Sequence, residues 1–266
     1  MEPRFAFVGG DRRMEYAKEL LEAQGYEITT ESDPNMTHLV LPWPALGSPG
    51  RIHLGPTVNE VQVFAAGRTV LAGNPGVQGE YLFEKAANLL DYARDERLLS
   101  GNAEITAEGA VALAMERLPV TLAECPVLVI GWGRIGQLLA RKLDALGARV
   151  TVSARRDRDR GLIDALGYRP EETGVFRLGL SDYRVIFNTV PAPVISPNQA
   201  SQIPDRCLYL ELASQPGLDP GGLGPDQYIS GLGLPGKYAP ETAGILLGRA
   251  ILRLVRQECQ KKEAGS

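Results

Sequence analysis

Pro126-Val-Leu-Val-Ile-Gly-Trp-Gly-Arg-Ile-Gly136 decides how the rest of the chain reads. Val127 to Ile130 form an unbroken apolar run, the pattern of a strand buried on both faces. Gly131, Gly133 and Gly136 follow in G-x-G-x-x-G spacing and lead into Arg134–Leu146. There Ile135, Leu138, Leu139, Leu143 and Leu146 fall on one helical face, and Gly147 is a natural stop. Ala148–Ala154 then reads as a second strand. Glycine spacing alone is weak evidence. Strand, glycine turn, amphipathic helix and strand within about 30 residues is what a dinucleotide fingerprint requires. The first glycine permits the tight turn and the second lets the backbone approach a pyrophosphate. The third lets the helix pack on the sheet, with free N–H groups at the helix start facing the anion. Expected cofactor contacts are therefore Gly131, Trp132, Gly133, Arg134, Ile135 and Gly136.

The end of the second strand selects among dinucleotides. An NAD site places Asp or Glu about 20 residues after the first glycine, to hold the ribose 2′-hydroxyl. Here the segment reads Ser153-Ala154-Arg155-Arg156, with no carboxylate before Asp157. A hydroxyl and two guanidiniums suit a 2′-phosphate, because arginine pairs with phosphate through parallel N–H bonds. NADP is the expected cofactor. The missing acid also weighs against S-adenosylmethionine. Arg158 and Arg160 read as a solvated basic loop.

Bulk composition sets the frame. The chain has 266 residues, 44% of them hydrophobic and 23% charged, with a net charge of −4. That length suits two domains of moderate size. Mild acidity argues against a nucleic-acid or anionic-membrane surface, which needs a concentrated basic face. No apolar run reaches the ~18 residues of a membrane span, and the first residues lack a signal-peptide profile. Cys125, Cys207 and Cys259 are far apart and form no C-x-x-C, so a buried thiol at the strand-like Cys207 and a reducing cytoplasm are expected. With His38 and His53 as the only histidines, no metal site is expected.

Upstream of the fingerprint, Phe5–Val8, Tyr26–Thr30, His38–Leu41 and Thr69–Ala72 read as strands. Helices are expected around Met14–Leu21, over Thr57–Ala66 and over Gln78–Leu90. This alternation predicts parallel pairing with right-handed crossovers, so residues 1–104 are expected to form a Rossmann-like or flavodoxin-like substrate domain. Ligands in such sheets gather beyond the carboxyl ends of the strands. Three loops leave there: Gly9–Arg13, Pro42–Pro56 and Gly73–Gln78. Arg12 and Arg51 are candidates to clamp a carboxylate, and either could equally be a surface arginine. Asp11 and His53 are candidate acid–base groups. Thr106–Leu118 reads as a helix with Thr106 as N-cap, its start facing a cleft between two domains. Asn102 and Thr106 become substrate candidates and Glu108 a catalytic one, or else a carboxylate stabilising the helix dipole.

Residues 105–239 are expected to form the NADP-binding Rossmann domain. Gly161–Leu166 reads as a short helix. Strands at Arg184–Thr189, Leu208–Leu212 and Tyr228–Ser230 end in loops rich in small residues, which let backbone approach a nicotinamide ring. Thr189, Val190, Pro191, Ala213, Ser214, Leu234 and Pro235 are the expected contacts. The last helix, Pro240–Arg256, is expected to pack back on the first domain, followed by a frayed tail at 261–266. The fold class is thus α/β, two Rossmann-like parallel-sheet domains joined by helices.

These landmarks resemble the A-subunit family of dipicolinate synthase essentially end to end. The resemblance rests on V-G-G-D-R at Val8–Arg12, L-P at Leu41–Pro42 and T-A-E-G at Thr106–Gly109. It continues through G-W-G-R-I-G at Gly131–Gly136, N-T-V-P at Asn188–Pro191 and L-A-S-Q-P-G at Leu212–Gly217. It ends with G-L-P-G-K-Y-A-P-E-T-A-G at Gly233–Gly244. Two departures stand out: the family commonly has arginine where Gln215 stands and glycine where Leu218 stands. The resemblance implies NADP-linked oxidation of dihydrodipicolinate, or its hydroxy-tetrahydro precursor, to dipicolinate. It also implies a flavoprotein B-subunit partner and the mother-cell cytoplasm of a spore former. A homodimer is left open. Two alternatives stand beside it: a non-catalytic NADP-binding scaffold for a flavoprotein, and an NADP-dependent dehydrogenase of shikimate or 2-hydroxy-acid type. The 2-hydroxy-acid type would usually need a histidine late in the chain, and none follows His53.

Overall fold

The computed structural model describes residues 2–264, with side chains described through residue 260. The chain divides into two compact units, Met1–Asn102 with Ala239–Ser266, and Ala103–Tyr238. Both are α/β with parallel sheets.

In the first unit the elements run β1 (Arg4–Phe7), α1 (Arg12–Ala23), β2 (Glu27–Ile28), β3 (His38–Val40), α2 (Val58–Ala65) and β4 (Thr69–Ala72). Then come α3 (Gly76–Leu82) and β5 (Asn88–Asp91). The sheet order is β2-β1-β3-β4-β5, every pair parallel. The expected helix over 78–90 is corrected. It stops at Leu82, and Asn88–Asp91 pairs with β4 as an edge strand. Helix-favouring Glu84, Lys85, Ala86 and Ala87 disguise that strand, and pairing with β4 overrides local propensity.

α4 (Glu96–Arg117) passes from the first unit into the second. It starts ten residues before the expected Thr106, which is therefore no N-cap but a buried mid-helix residue. Asp95 does the capping, its Oδ1 accepting from Leu98 N at 2.8 Å. The weak helix formers Ser100, Gly101 and Asn102 look like a break in sequence, yet the helix runs through them.

The second unit continues with β6 (Pro126–Ile130), α5 (Arg134–Ala145), β7 (Arg149–Ala154), α6 (Asp157–Ala165), β8 (Arg169–Glu172) and β9 (Val185–Asn188). α7 (Pro197–Ala200), β10 (Leu208–Glu211), β11 (Tyr228–Ser230) and α8 (Leu234–Tyr238) complete it. The parallel sheet has order β11-β10-β9-β6-β7-β8. That is the doubly wound dinucleotide topology, with its order reversing between β6 and β9. One apolar layer carries Leu139, Ala140 and Leu143 of α5 against Val127, Val129 and Phe187. The other packs Ile186 and Tyr209 against Ile195 and Ala200. Leu146, placed on the inner helical face in sequence, is exposed. β8, R-P-E-E, escapes sequence reading because an edge strand can be polar and can carry proline.

α9 (Pro240–Ala264) returns to the first unit and packs along α1. Gly244 and Gly248 permit this approach: a Cβ on Gly244 would lie 2.5 Å from the Arg13 carbonyl oxygen. Leu247, Ala250, Ile251, Leu252 and Val255 then join Phe5, Ala17 and Leu21 in one core. Near the far end of α9, the Glu258 carboxylate accepts from Thr69 Oγ1 at 2.9 Å and Asn88 Nδ2 at 2.8 Å, with His38 Nε2 at 3.4 Å. Those three residues open β3, β4 and β5 and sit in register. Residues 261–264, expected as frayed tail, continue the helix, and 265–266 lie outside the described residues.

Arg253 of α9 meets Asp95 with two bonds, 2.7 and 2.6 Å. The Arg253 bonds hold the Asp95 carboxyl below its ordinary range, against an opposing push from burial. A depressed folded-state value gives stability that is present above the unfolded value of about 3.9 and lost as pH falls through the folded one. Asp95→Asn keeps the cap and removes the charge. It is expected to cost roughly 1–2 kcal/mol at pH 7, given the mostly buried two-pronged pair. Denaturant unfolding across the acid range checks this: the gap to the unsubstituted protein should be full at pH 7 and shrink progressively as pH falls below about 3.9.

Candidate functional site

The fingerprint turn sits at the switch point of the second sheet. Gly131 takes φ +105°, a left-handed conformation that side chains disfavour, and its N–H bonds Ser153 O at 3.0 Å. A Cβ there would lie 2.5 Å from Thr189 Oγ1 and 2.8 Å from Val190 Cγ2. Thr189 is fixed in turn, its Oγ1 donating to Ile130 O at 2.8 Å. The glycine turn and the β9 exit are thus one packed assembly, joining Gly131, Thr189 and Val190. A Cβ on Gly136 would meet the Gly131 carbonyl oxygen, which presses α5 against the turn. Gly133 opens α5 with open space above it, and no side chain caps that helix. Arg134 is exposed and Ile135 partly buried beside it. Trp132 packs edge-on against Tyr168, and its buried indole N–H has no hydrogen-bond partner among the described residues.

At the end of β7, Arg155 and Arg156 are exposed, while Ser153 and Ala154 are buried. The Ser153 hydroxyl accepts from Thr173 Oγ1 at 2.9 Å, so it is engaged within the sheet. Arg160, expected as a solvated basic residue, is pinned. Its Nη1 donates to Arg155 O at 2.8 Å and Ala154 O at 3.2 Å, holding the strand end that presents Arg155. No carboxylate stands at the position that would hold a ribose diol. A pyrophosphate and a 2′-phosphate therefore both find matching donors here: uncapped N–H groups at the start of α5, and two exposed guanidiniums.

The β10 exit supplies Ala213, buried, and Ser214, exposed; Pro191 is exposed at the β9 exit. Leu234 and Pro235 are corrected: they lie in α8 rather than a loop, buried against the core, where Leu234 packs at Gly109. Sequence reading missed Glu211, the last residue of β10 and 2% exposed. Its carboxylate accepts from Asn188 Nδ2 at 2.8 Å, Ala213 N at 3.1 Å and Gly217 N at 2.7 Å, with Tyr209 Oη at 3.4 Å. A cavity of about 530 Å³ next to this assembly is lined by Pro193, Ile195, Gln215, Pro216 and Leu218.

In the first unit, the loops after β1 and β3 meet at the carboxyl edge. Gly10 N bonds His53 O at 2.9 Å, which brings Asp11 and His53 into one neighbourhood. Asp11 caps α1 and is clasped by Arg13 Nε at 2.8 and 3.1 Å. Burial raises its carboxyl, but the Arg13 bonds and charge outweigh that and hold it below the ordinary range. An ionised, paired carboxylate is a weak proton acceptor, so the geometry disfavours Asp11 as a base. Arg13, not singled out in sequence, also donates to Trp43 O at 2.9 Å. Arg12 is exposed and lies along α1, with Nη2 donating to Tyr16 Oη at 3.0 Å. Arg51 is exposed and folds onto its own loop through Gly55 O at 3.1 Å. The His53 ring makes no hydrogen bond among the described residues.

The α4 candidates lie within the helix rather than at its start. Thr106 is buried and Asn102 half-buried within the helix. Glu108 is mid-helix, its side chain 66% exposed and 3.7 Å from Lys142 Nζ, so no helix N-terminus acts on it. Among the described residues no group of three or more His, Cys, Asp or Glu is placed to hold a metal, and no helix is long and apolar enough to cross a membrane.

Two parallel-sheet α/β units, one with the 3-2-1-4-5-6 order, define the fold of Rossmann-type dehydrogenases. Transhydrogenase from Sinorhizobium meliloti matches over 96% of this chain and 94% of its own, with TM-score 0.71 and 14% identity. D-lactate dehydrogenase from Escherichia coli matches over 97% of each, with TM-score 0.62 and 12% identity. Within that fold the chain is similar to the A subunit of dipicolinate synthase. It is 31% identical over 189 residues to the dipicolinate synthase A subunit of Bacillus subtilis (strain 168). The match covers 68% of this chain and spans 64% of the length of that relative. The crystal structure of the Bacillus subtilis protein superposes with TM-score 0.82 at 24% identity, covering 98% of both chains. That of its Bacillus halodurans counterpart gives 0.81 at 24%, covering 95% of this chain and 97% of its own. No protein-family model matches this chain.

Proposed function

We propose that this chain is an NADP-linked oxidoreductase of the dipicolinate synthase A type, oxidising dihydrodipicolinate or its hydroxy-tetrahydro precursor to dipicolinate. The observation that carries the reading is the glycine turn at the switch point, in a chain 31% identical to a dipicolinate synthase A subunit. Bound there, NADP would supply the hydride acceptor. Gly131 to Gly136 give its pyrophosphate room and backbone donors. Arg155 and Arg156 take the 2′-phosphate through charge-assisted bonds. Thr189, Val190, Pro191, Ala213 and Ser214 line the nicotinamide end.

On the first unit, the exposed Arg12 and Arg51 are the cations offered to a substrate carboxylate. His53 is the acid–base candidate that the loop geometry leaves uncommitted, its ring making no hydrogen bond among the described residues. Glu108 and Asp11 are already engaged with Lys142 and Arg13. The wider expectations from the resemblance, partnership with the flavoprotein B subunit, and action in a mother-cell cytoplasm, belong to this same proposal.

That engagement of two of the three acid–base candidates favours one second reading, a cofactor-binding scaffold for the flavoprotein. The deciding assay mixes the protein with NADP and freshly generated tetrahydrodipicolinate precursor, with and without the flavoprotein. Growth of NADPH absorbance is the expected result. No growth in either mixture would leave the scaffold.

A further inference from the structure

Two stretches of the second unit, Asn188-Thr-Val-Pro191 and Leu212-Ala-Ser-Gln-Pro-Gly217, are far apart in sequence and meet on one side chain. Glu211 and Asn188 are register partners at the carboxyl ends of β10 and β9. Asn188 turns its own loop, donating to Val190 O at 3.0 Å and accepting from Val190 N at 3.1 Å. The same amide donates to Glu211. Glu211 also takes the N–H groups of Ala213 and Gly217, so the loop after β10 is tied at its start and its end. The Gly217 carbonyl then accepts from Val194 and Ile195 at 2.8 and 3.0 Å, closing the circuit back to the loop after β9. Only glycine fits at 217. A Cβ there would lie 2.4 Å from Asn188 Nδ2 and 2.7 Å from Tyr209 Oη.

Among the described residues Glu211 pairs with no cation, and burying a charge on neutral dipoles alone is costly. Burial pushes its carboxyl up, while the bonds from Gly217, Asn188 and Ala213 work to keep it ionised. A costly buried group that shapes two loops at a ligand-binding edge is better explained by what the loops must hold.

We infer that Glu211 is a positioning residue, which holds the β9 and β10 exits in the shape that receives the nicotinamide half of the cofactor. The inference rests on the cofactor reading above. It separates the two halves of the site: Arg155 and Arg156 hold the adenosine 2′-phosphate end, and Glu211 sets the other end without touching it.

Calorimetric titration of the full chain with NADP⁺ and with adenosine 2′,5′-bisphosphate, which lacks the nicotinamide half, tests this. Glu211→Gln keeps the shape but turns an amide donor toward the backbone donors. It should weaken NADP⁺ about tenfold, the loss of roughly one buried hydrogen bond's ordering. Its affinity for the bisphosphate should stay within about twofold. Arg155→Ala should weaken both ligands. Equal loss of both in Glu211→Gln, or loss of neither, overturns the inference. Should that variant not fold, Glu211→Asp, which keeps the charge and shortens its reach, is held to the same split. If the unsubstituted protein binds neither ligand, the cofactor reading itself fails.

Discussion

Replacing Arg155 and Arg156 together with alanine is expected to weaken NADP binding on the order of 100-fold, two charge-assisted phosphate contacts being lost. NAD binding should stay within about threefold, since that cofactor offers no 2′-phosphate to pair. The difference arises because both guanidiniums are exposed beyond β7 and neither is held in an ion pair among the described residues. Arg160 keeps the strand end in place through its bonds to the carbonyls of Ala154 and Arg155, so the double variant should retain the local backbone. Equilibrium titration with both cofactors reads the result. Equal losses would refute the role of the basic pair.

Gly131→Ala should be the more damaging change. The new methyl would sit at φ +105°, 2.5 Å from Thr189 Oγ1 and 2.8 Å from Val190 Cγ2. Backbone strain and overpacking together are expected to cost roughly 2–4 kcal/mol of stability. Relief requires the turn or the β9 exit to move, and both line the same site. Affinity for the cofactor should then fall by at least about two orders of magnitude, by the same energies. Denaturant unfolding and cofactor titration of one preparation measure both effects. A variant of unchanged stability that binds normally would show that the turn is not packed as described.

What the sequence disclosed, and what it hid, follows from the range of the forces involved. The fingerprint unit was legible because its signals are local: an apolar run, three glycines and a 3.6-residue stripe. The alternation of strands and helices gave the fold class by the same means. β5 and β8 were not legible, because each is a short edge strand whose identity comes from its neighbour in the sheet. The start of α4 was misplaced because Gly101 and Asn102 weaken the local signal, whereas Asp95 and Arg253 anchor the helix through a contact with residues 158 positions away. Thr106 and Glu108 consequently took on roles that a mid-helix position does not support. Glu211 escaped notice for a related reason. In Leu-Tyr-Leu-Glu-Leu it alternates with leucines, as a solvent-facing residue would. A buried parallel strand has no solvent-facing side, and an acid at its carboxyl end just before Ala-Ser-Gln-Pro-Gly was the available hint.

The return of α9 to the first unit has a consequence for how the molecule is made. The first unit is discontinuous in sequence, and its core lacks Leu247, Ala250, Ile251, Leu252 and Val255 until α9 arrives. On the ribosome, the unit from Ala103 to Tyr238 is therefore complete before α9 is made, and it can close while the earlier segment waits. During that interval α1 and the sheet beneath it lack the apolar cover that α9 later supplies. The unit whose strands are translated before the fingerprint is thus the one that can be completed only after it.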